Sequence, residues 1–387
     1  MAKTQSLSLC LKNAQIAGYS GLQQVLIQSG QIATIQPQIQ VAENFPCLDL
    51  GGDWLSLGGV DLQINGALGI AFTDLGAMPG STLSKICRFL WEQGVDAYLP
   101  TLVTTSVDNI HSALAHLSQF QPEPGTAQIL GAHLEGPFLN PAKQGAHPAE
   151  FLLPLTVTEV ERVLGVYSAQ VKLITLAPEL DPTGMALAAL RDRNIFISLG
   201  HSLATAEEAQ TAFEQGATLV THAFNAMPSL HHRQPGLLGA ALLTPGIRCG
   251  VIADGEHIHP RMLQLLVRMA QRSGLFLVSD ALAPLGLPDG TYPWDARTIT
   301  IANGTARLAD GTLAGTTLPL LQGVQNLVHW GICSVPEAIH LATEAPRQAL
   351  NLPGLGPGQS LSGLLRWHLD AKNTLSWERL FSWPEDC

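Results

Sequence analysis

The sequence predicts an α/β fold: a (β/α)8 barrel of the TIM type with a small β-sandwich domain built from both chain termini. Eight short apolar runs alternate with helix-length stretches between residues 60 and 282. Both termini alternate apolar and polar residues, which is typical of short antiparallel strands. Hydrophobic residues make up 46% of the 387 residues and charged ones 13%, which fits a large buried core. An open doubly wound sheet is the structural alternative, and eight repeats in one run favour the barrel.

The eight predicted strands are apolar runs bounded by turn or helix signals. They cover 60–65, 96–104, 127–136, 171–179, 194–202, 218–226, 248–255 and 275–282. We assign residues 56–349 to the barrel and residues 1–55 with 350–387 to the terminal β domain. Residues 298–316 are expected to form strands and turns within a long excursion after the eighth strand.

Start signals for helices lie between the predicted strands. Ser106 precedes one amphipathic stretch, and Thr205 with Glu208 forms a capping box before another. A third stretch opens at Pro260 and is expected to stop at Gly274. Each predicted helix follows a strand, as a barrel of βα units requires.

The net charge limits the possible binding partners, and the cysteine content bears on the cellular compartment. The net charge of −11 argues against a nucleic-acid partner, which needs a basic face. Six scattered cysteines without a CxxC pair are typical of reduced thiols. We find no signal-peptide pattern at the N-terminus and no apolar run near the roughly 18 residues of a membrane span. The expected location is the cytoplasm.

Four of the predicted strands end in side chains that suit a hydrolytic metal site, and the C-terminal ends of barrel strands are where active sites lie. Glu135 ends strand three, His201 and His222 end strands five and six, and Asp280 ends strand eight. Two imidazoles and a carboxylate are a typical zinc ligand set that leaves a position for water. Asp280 has the chemistry to take a proton from that water and pass it to a leaving group.

Each of these residues also has a structural interpretation. A lone histidine at a strand end is more often a hydrogen-bonded structural residue than a ligand, but four such residues in register favour the metal site. His133 lies one layer deeper on the same strand face as Glu135 and is expected to be structural. Glu179, after strand four, is expected to cap the next helix.

Six segments of the chain, in their order and spacing, resemble the N-acetylglucosamine-6-phosphate deacetylase family of the amidohydrolase superfamily. The segments are HLEGPFLNPAKQGAHP (133–148), GHSLATAEEA (200–209), THAFNAMPSLHHRQPGLLGA (221–240), IADGEHIHP (252–260), LVSDALAP (277–284) and LAGTTLPL (313–320). The resemblance spans residues 51 to about 350. It implies hydrolysis of the N-acetyl group of N-acetylglucosamine 6-phosphate to glucosamine 6-phosphate and acetate.

The resemblance also implies roles for individual residues. Glu135, His201 and His222 would bind the metal, Asp280 would be the catalytic acid and base, and His147 would contact the scissile amide. Substrate contacts are implied for Ala146, His147, Asn225, Ala226, Arg233, Asp254, His257, Leu313, Ala314 and Gly315.

Two of these substrate contacts would bind the phosphate. The resemblance assigns this role to Arg233 and His257, and arginine can bind phosphate bidentately. It further implies a homodimer, in which Arg233 reaches the active site of the neighbouring subunit.

Gln63 and Asn65 occupy the positions where most amidohydrolases have an HxH pair that binds a second metal. Amides are poor zinc ligands beside imidazole. We therefore expect one divalent metal per subunit, with zinc as the default and iron, cobalt or manganese as alternatives.

Three other functions fit parts of the sequence. The same site could deacetylate N-acetylgalactosamine 6-phosphate or an N-acyl amino acid, although Arg233 and His257 favour a phosphosugar. A non-catalytic sugar-phosphate sensor on the same barrel is the third, and a base such as Asp280 beside a metal argues against it.

Overall fold

The computed structural model describes residues 8–38, 46–270, 274–294 and 297–381. These residues form 22 strands and ten α-helices. The strands are β1 (Ser8–Ile16), β2 (Gln23–Gln28), β3 (Gln31–Pro37), β4 (Cys47–Asp49), β5 (Trp54–Leu57), β6 (Gly59–Ile64), β7 (Gly66–Ala67), β8 (Ile70–Ala71), β9 (Val95–Val103), β10 (Gln128–Ile129), β11 (Ala132–Glu135), β12 (Val171–Leu176), β13 (Phe196–Leu199), β14 (Leu219–Val220), β15 (Arg248–Val251), β16 (Leu275–Leu277), β17 (Gly290–Trp294), β18 (Arg297–Ala302), β19 (Thr305–Leu308), β20 (Leu313–Thr316), β21 (Leu364–Leu369) and β22 (Leu375–Arg379). The helices are α1 (Ser81–Glu92), α2 (Val107–Gln119), α3 (Val157–Leu164), α4 (Met185–Arg191), α5 (Ala206–Glu214), α6 (Gly236–Leu243), α7 (Pro260–Ala270), α8 (Leu320–His329), α9 (Val335–Ala342) and α10 (Glu344–Ala349).

Eight parallel strands form the central barrel and confirm the predicted fold. They pair in the order β6, β9, β11, β12, β13, β14, β15 and β16, with β10 added alongside β9. The predicted third strand is split into β10 and β11, since Gly131 at φ +120° interrupts it. Several strands are shorter than predicted at their C-terminal ends, where the chain turns to present the side chains of the barrel mouth.

The first and eighth barrel strands meet just beyond β16. The backbone N–H of Asp280 donates to the carbonyl of Gln63 (2.8 Å), and the N–H of Asn65 donates to the carbonyl of Ala281 (2.7 Å). This seam places Gln63 and Asn65 beside Asp280, although more than 200 residues separate them along the chain.

The helices cover the barrel through amphipathic faces, and their start signals are confirmed. The Ser106 side chain accepts a hydrogen bond from Asn109 N at the start of α2. Thr205 and Glu208 form the predicted capping box of α5. Helix α7 begins at Pro260, and its predicted end at Gly274 lies beyond residues 271–273, which are outside the described residues. No helix in the described ranges is long and apolar enough to cross a membrane.

The two chain termini combine into a separate sheet, as the sequence predicts. Its strands follow the order β22, β21, β5, β1, β2 and β3, and β4 pairs with β1. The sheet has its own apolar cluster, which includes Leu11, Val25, Ile27 and Leu364. Residues 1–7, 39–45 and 382–387 of the predicted terminal domain lie outside the described residues. The domain boundaries at 55/56 and 349/350 stay predictions.

The excursion after the eighth strand folds into a four-stranded antiparallel sheet, β17–β20. Leu282, which follows the eighth strand, packs against Ile299 and Ile301 of this sheet. A bridge between Ala281 and Thr316 fixes its far edge to the barrel. The excursion sheet thereby lies at the C-terminal mouth of the barrel, next to Asp280.

Candidate active site

Three predicted metal ligands converge at the mouth of the barrel. Glu135 ends β11, and His201 and His222 follow β13 and β14. The Nε2 atom of His201 lies 3.2 Å from Oε1 of Glu135 and 3.0 Å from Nε2 of His222. The Nε2 atom of His222 lies 3.1 Å from the same carboxylate oxygen. All three side chains are buried.

The backbone at these positions is unusual for residues other than glycine. His201, His222 and Asp280 have φ angles of +49°, +28° and +51°. A non-glycine residue in this region costs on the order of 1 kcal/mol or more, and such residues cluster at functional sites. The left-handed turn directly after each strand directs these side chains into the mouth of the barrel.

The donor set fits a divalent cation. The Nδ1 atom of His201 lies 2.8 Å from the carbonyl oxygen of Lys143, which can only accept, so Nδ1 carries the proton. The Nε2 lone pair of a neutral His201 therefore faces both Oε1 of Glu135 and Nε2 of His222. A cation bound by all three atoms would satisfy these lone pairs and the buried charge. The Nδ1 atom of His222 has no hydrogen-bond partner among the described residues, so the polar contacts of this ring are made by Nε2.

His147 approaches the same cluster from the loop after β11. Its Nδ1 accepts from the backbone N–H of Thr104 (3.3 Å), so Nε2 carries the proton of the neutral ring. That Nε2 lies 3.9 Å from Oε2 of Glu135. Glu135, His147 and His201 also form a group whose ligand atoms lie within 4.8 Å of one another. The shorter contacts and the lone pairs favour His222 as the third ligand and leave His147 as a hydrogen-bond donor.

On the opposite side of the mouth, two amides hold Asp280. The Nε2 atom of Gln63 donates to Oε1 of Glu135 (3.0 Å) and to Oδ1 of Asp280 (3.2 Å). The Nδ2 atom of Asn65 donates to the same Oδ1 at 2.8 Å. The Oδ1 atom of Asn65 is buried without a hydrogen-bond partner in the described part of the chain.

The surroundings of Asp280 and Glu135 shift the pKa values of the two carboxyl groups in opposite directions. Burial raises the pKa of Asp280 to about 6, and the charge of Glu135 adds to this shift. Burial also acts to raise the pKa of Glu135, but the adjacent imidazoles of His201 and His222 outweigh it and hold this pKa well below its ordinary value. Burial lowers the pKa of His147 to about 3, so this ring is neutral. A charged carboxylate beside one that titrates near neutral pH is typical of acid–base catalysis.

These groups line one cavity of about 470 Å³, a size that suits a small-molecule substrate. Its walls come from the loops that follow seven of the eight barrel strands and from the excursion sheet. Asp280, the proposed metal ligands, and Trp294 and Arg297 of the excursion sheet all line this cavity.

Comparison with known proteins shows the family. A scan against models of protein families gave no match. The chain is 34% identical to N-acetylgalactosamine-6-phosphate deacetylase of Escherichia coli O157:H7, over 88% of this chain and 89% of that protein. It is 38% identical to N-acetylglucosamine-6-phosphate deacetylase of Mus musculus, over 79% of this chain and 76% of that protein. The chain belongs to the N-acetylglucosamine-6-phosphate deacetylase family.

A solved member of this deacetylase family has the same architecture. The N-acetyl-D-glucosamine-6-phosphate deacetylase of Mycobacterium smegmatis, in complex with N-acetyl-D-glucosamine-6-phosphate, superposes with a TM-score of 0.84. The alignment has 25% sequence identity and covers 97% of this chain and 99% of that one. Both the barrel and the terminal sheet thus belong to the architecture of the deacetylase family.

The structure places most of the residues that the resemblance assigns to substrate at the cavity. The residues on its wall are Ala146, His147, Asn225, Ala226, His257, Leu313 and Ala314. Asp254 lies behind His257, and its Oδ2 accepts from Nδ1 of that ring at 2.6 Å. Gly315 packs behind the wall against Leu282. Arg233 is exposed and lies outside the lining of its own chain's cavity.

Three residues of this deacetylase-family site were assigned no role from the sequence. Thr104 holds His147 through its backbone N–H and its hydroxyl (2.9 Å). Arg297 donates from Nη2 to the carbonyl of Ala146 (2.9 Å), and its guanidinium lies 4.5 Å from the Trp294 ring. Thr104 ends the second predicted strand, and this position is its signal in the sequence. Trp294 ends β17 and Arg297 begins β18 of the excursion, where no pattern points to the barrel mouth.

His133 matches its structural interpretation. Its Nε2 lies 2.7 Å from the hydroxyl of Thr175, and its Nδ1 lies 3.2 Å from the hydroxyl of Thr101. Burial lowers its pKa to about 4, so the ring is neutral at pH 7. These contacts make His133 part of a polar layer inside the barrel, directly below the Glu135 carboxylate.

Proposed function

We propose that this protein hydrolyses the N-acetyl group of N-acetylglucosamine 6-phosphate, giving glucosamine 6-phosphate and acetate. The observation that carries the proposal is the convergence of Glu135, His201 and His222 beside Asp280 in one cavity. The family relatives act on this class of phosphosugar by name. The roles below follow from the geometry of these side chains.

One divalent metal ion per subunit would be held by Glu135, His201 and His222. Zinc is the expected ion, because imidazole nitrogens with one carboxylate suit it, and iron, cobalt or manganese are the alternatives. When bound, the ion supplies Lewis-acid polarisation of the acyl oxygen and lowers the pKa of water.

Asp280 carries the proton in this proposal. As a carboxylate it accepts a proton from the attacking water while the water oxygen bonds to the amide carbon. As an acid it then gives that proton to the amide nitrogen while the C–N bond breaks. Gln63 and Asn65 orient the Asp280 carboxylate through one hydrogen bond each, and Gln63 also donates to Glu135.

His147 stabilises the charge that develops on the acyl oxygen. Its Nε2–H is directed to the cluster because Thr104 occupies Nδ1. Its lowered pKa keeps the ring neutral, so it acts as a hydrogen-bond donor and not as a competing proton source. One preorganised donor of this kind is worth about 10²–10³ in kcat.

The phosphate would be bound by His257 of the same chain and by Arg233 of a second copy. The Asp254 carboxylate accepts from Nδ1 of His257 and so leaves Nε2 of this ring to face the substrate. Arg233 is exposed on its own chain, so it is free to contribute in a homodimer. Asn225, Ala226, Leu313, Ala314 and Gly315 would complete the sugar contacts. A cytoplasmic location is part of this proposal.

Deacetylation of N-acetylgalactosamine 6-phosphate is the second candidate. The 34% identity to the Escherichia coli deacetylase of that sugar favours it specifically. The two sugars differ only at C4, so the same groups would act on the amide and the phosphate. An N-acyl amino acid substrate has no such relative in its support.

Acetate release tests the proposal directly. We would measure it with both phosphosugars, with unphosphorylated N-acetylglucosamine and with an N-acetyl amino acid, and determine metal content on the same sample. We expect turnover of a phosphosugar, little of the unphosphorylated sugar, and about one metal per chain. The ratio of kcat/KM for the two phosphosugars decides between the two candidates. Bound metal without turnover of any of these substrates would favour the sensor.

A further inference from the structure

The carboxylate of Glu179 links two loops of the barrel mouth. Glu179 follows β12, and its Oε1 accepts from Nδ2 of Asn140 (2.9 Å) and from the backbone N–H of Leu203 (2.6 Å). Its Oε2 accepts from the hydroxyl of Ser202 at 2.7 Å. These three donors belong to the loops after β11 and β13 and not to the helix that follows Glu179, so the predicted helix-cap role is wrong. Glu179 lies in the loop after the fourth barrel strand and therefore links the loops that follow the third and fifth strands.

Both of these loops hold His201. Its carbonyl oxygen accepts from the backbone N–H of Asn140 (2.9 Å), and its ring Nδ1 donates to the carbonyl of Lys143 (2.8 Å). Ser202 and Leu203, which Glu179 also binds, directly follow His201 in the chain. His201 itself has the left-handed φ of +49°. A residue in this conformation keeps it only when its surroundings enforce it.

We propose that Glu179 is a positioning residue that fixes His201 in its metal-binding orientation without contacting the metal. It acts by clamping Asn140 on one side of His201 and the Ser202–Leu203 segment on the other. This inference rests on the metal site of the proposed function. Residues that orient metal ligands in this way typically contribute 10–100-fold to metal affinity.

Glu208 provides a matched control in the same loop. Its carboxylate accepts the backbone N–H of Thr205 (2.8 Å), two residues after the N–H that Glu179 binds. Each of the variants Glu179→Ala and Glu208→Ala therefore leaves one backbone N–H of this loop without its carboxylate acceptor. Only Glu179 also binds Ser202 and Asn140. Loss of the Glu208 half of the α5 capping box lowers stability but leaves His201 untouched.

The experiment measures zinc affinity on metal-depleted full-length protein by competition with a chromophoric chelator. Thermal midpoints of the metal-free proteins are measured alongside. We expect the zinc Kd to rise about 10–100-fold in Glu179→Ala and to stay unchanged in Glu208→Ala. Glu179→Gln keeps acceptor capacity on its oxygen and should lie between them. Saturating zinc should restore much of the activity lost by Glu179→Ala at limiting zinc.

A second variant keeps the inference testable if Glu179→Ala does not fold. Asn140→Asp keeps the side-chain oxygen that accepts from Ala142 N, but it replaces the donor to Glu179 with a like charge. We expect it to weaken zinc binding as well. An unchanged zinc Kd in both Glu179→Gln and Asn140→Asp would overturn the inference. If the wild-type protein itself bound no zinc, iron, cobalt or manganese, the proposed function would fail first.

Discussion

The mouth of the barrel has two sides whose chemistry is opposite. On the histidine side, the lone pairs of imidazole nitrogens and a carboxylate converge. On the amide side, the N–H groups of two side-chain amides lie between carboxylates. The histidine side consists of Glu135, His201 and His222. The amide side consists of Gln63, Asn65 and Asp280. The first arrangement needs a cation to satisfy it, whereas the second already satisfies the Asp280 carboxylate with protein donors. We infer from this contrast that the histidine side binds the metal and the amide side holds the group that transfers the proton.

Removing a ligand from the histidine side should have the largest effect. We expect His222→Ala to lose its metal and to reduce kcat/KM by about a thousandfold or more, since metal polarisation supplies several kcal/mol. Metal analysis of the purified variant together with acetate release checks this. His329→Ala, an exposed histidine of α8, is the control and should behave as wild type. Full metal content in His222→Ala would show that the ligand set is wrong.

Asp280→Asn tests the amide side next. The variant keeps the size of the side chain but can neither take up nor deliver the proton, so kcat should fall about 10²–10⁴-fold. KM and metal content should change little. Asp192→Asn, on an exposed aspartate, serves as the control. A fall in kcat of less than tenfold would exclude the acid–base role of Asp280.

Replacing the two amides by histidines tests how many metal ions each chain binds. Gln63 donates to Glu135 and Asp280, and an imidazole there would offer a lone pair instead. We expect the double variant Gln63→His, Asn65→His to raise metal content from about one towards two ions per chain. Metal analysis after dialysis against excess zinc measures this. Two ions per wild-type chain would contradict the division of the mouth into two halves.

The strand-end residues of both sides could be predicted from the sequence because the order of strands along the chain places them at one mouth of the barrel. In a parallel barrel every strand ends at the same mouth, so Glu135, His201, His222 and Asp280 converge whatever the exact register. The sequence could not predict that the chain leaves strand conformation before the histidines. That outcome depends on left-handed turns, which glycine would have signalled but histidine does not.

Other contacts depend on tertiary folding that no local pattern encodes. Arg297 reaches the Ala146 carbonyl across 151 residues, because the excursion sheet packs back on Leu282. Glu179 has the spacing of a helix cap, yet it binds two other loops. In both cases the sequence identifies a charged side chain, but only the tertiary fold determines which groups that side chain binds.

The smallest expected effect concerns the acidity of Asp280. Its pKa is raised to about 6 by burial and by the charge of Glu135, while the hydrogen bond from Asn65 acts to lower it. Asn65→Ala removes that hydrogen bond, so the pKa should rise further. A general base works only when deprotonated, so kcat/KM should rise with pH over a higher range in the variant, and activity should fall more at pH 5 than at pH 8.

The measurement is the pH profile of kcat/KM for wild type and Asn65→Ala at saturating metal. A bound cation lowers the Asp280 pKa in both proteins, so the displacement between the two profiles is the quantity to compare. Asn65→Asp is the informative companion, because a second carboxylate at 2.8 Å from Asp280 should displace the profile further in the same direction. Identical profiles in all three proteins would mean that Asn65 does not act through the Asp280 carboxyl, and the amide side would then serve only to join the first and eighth strands.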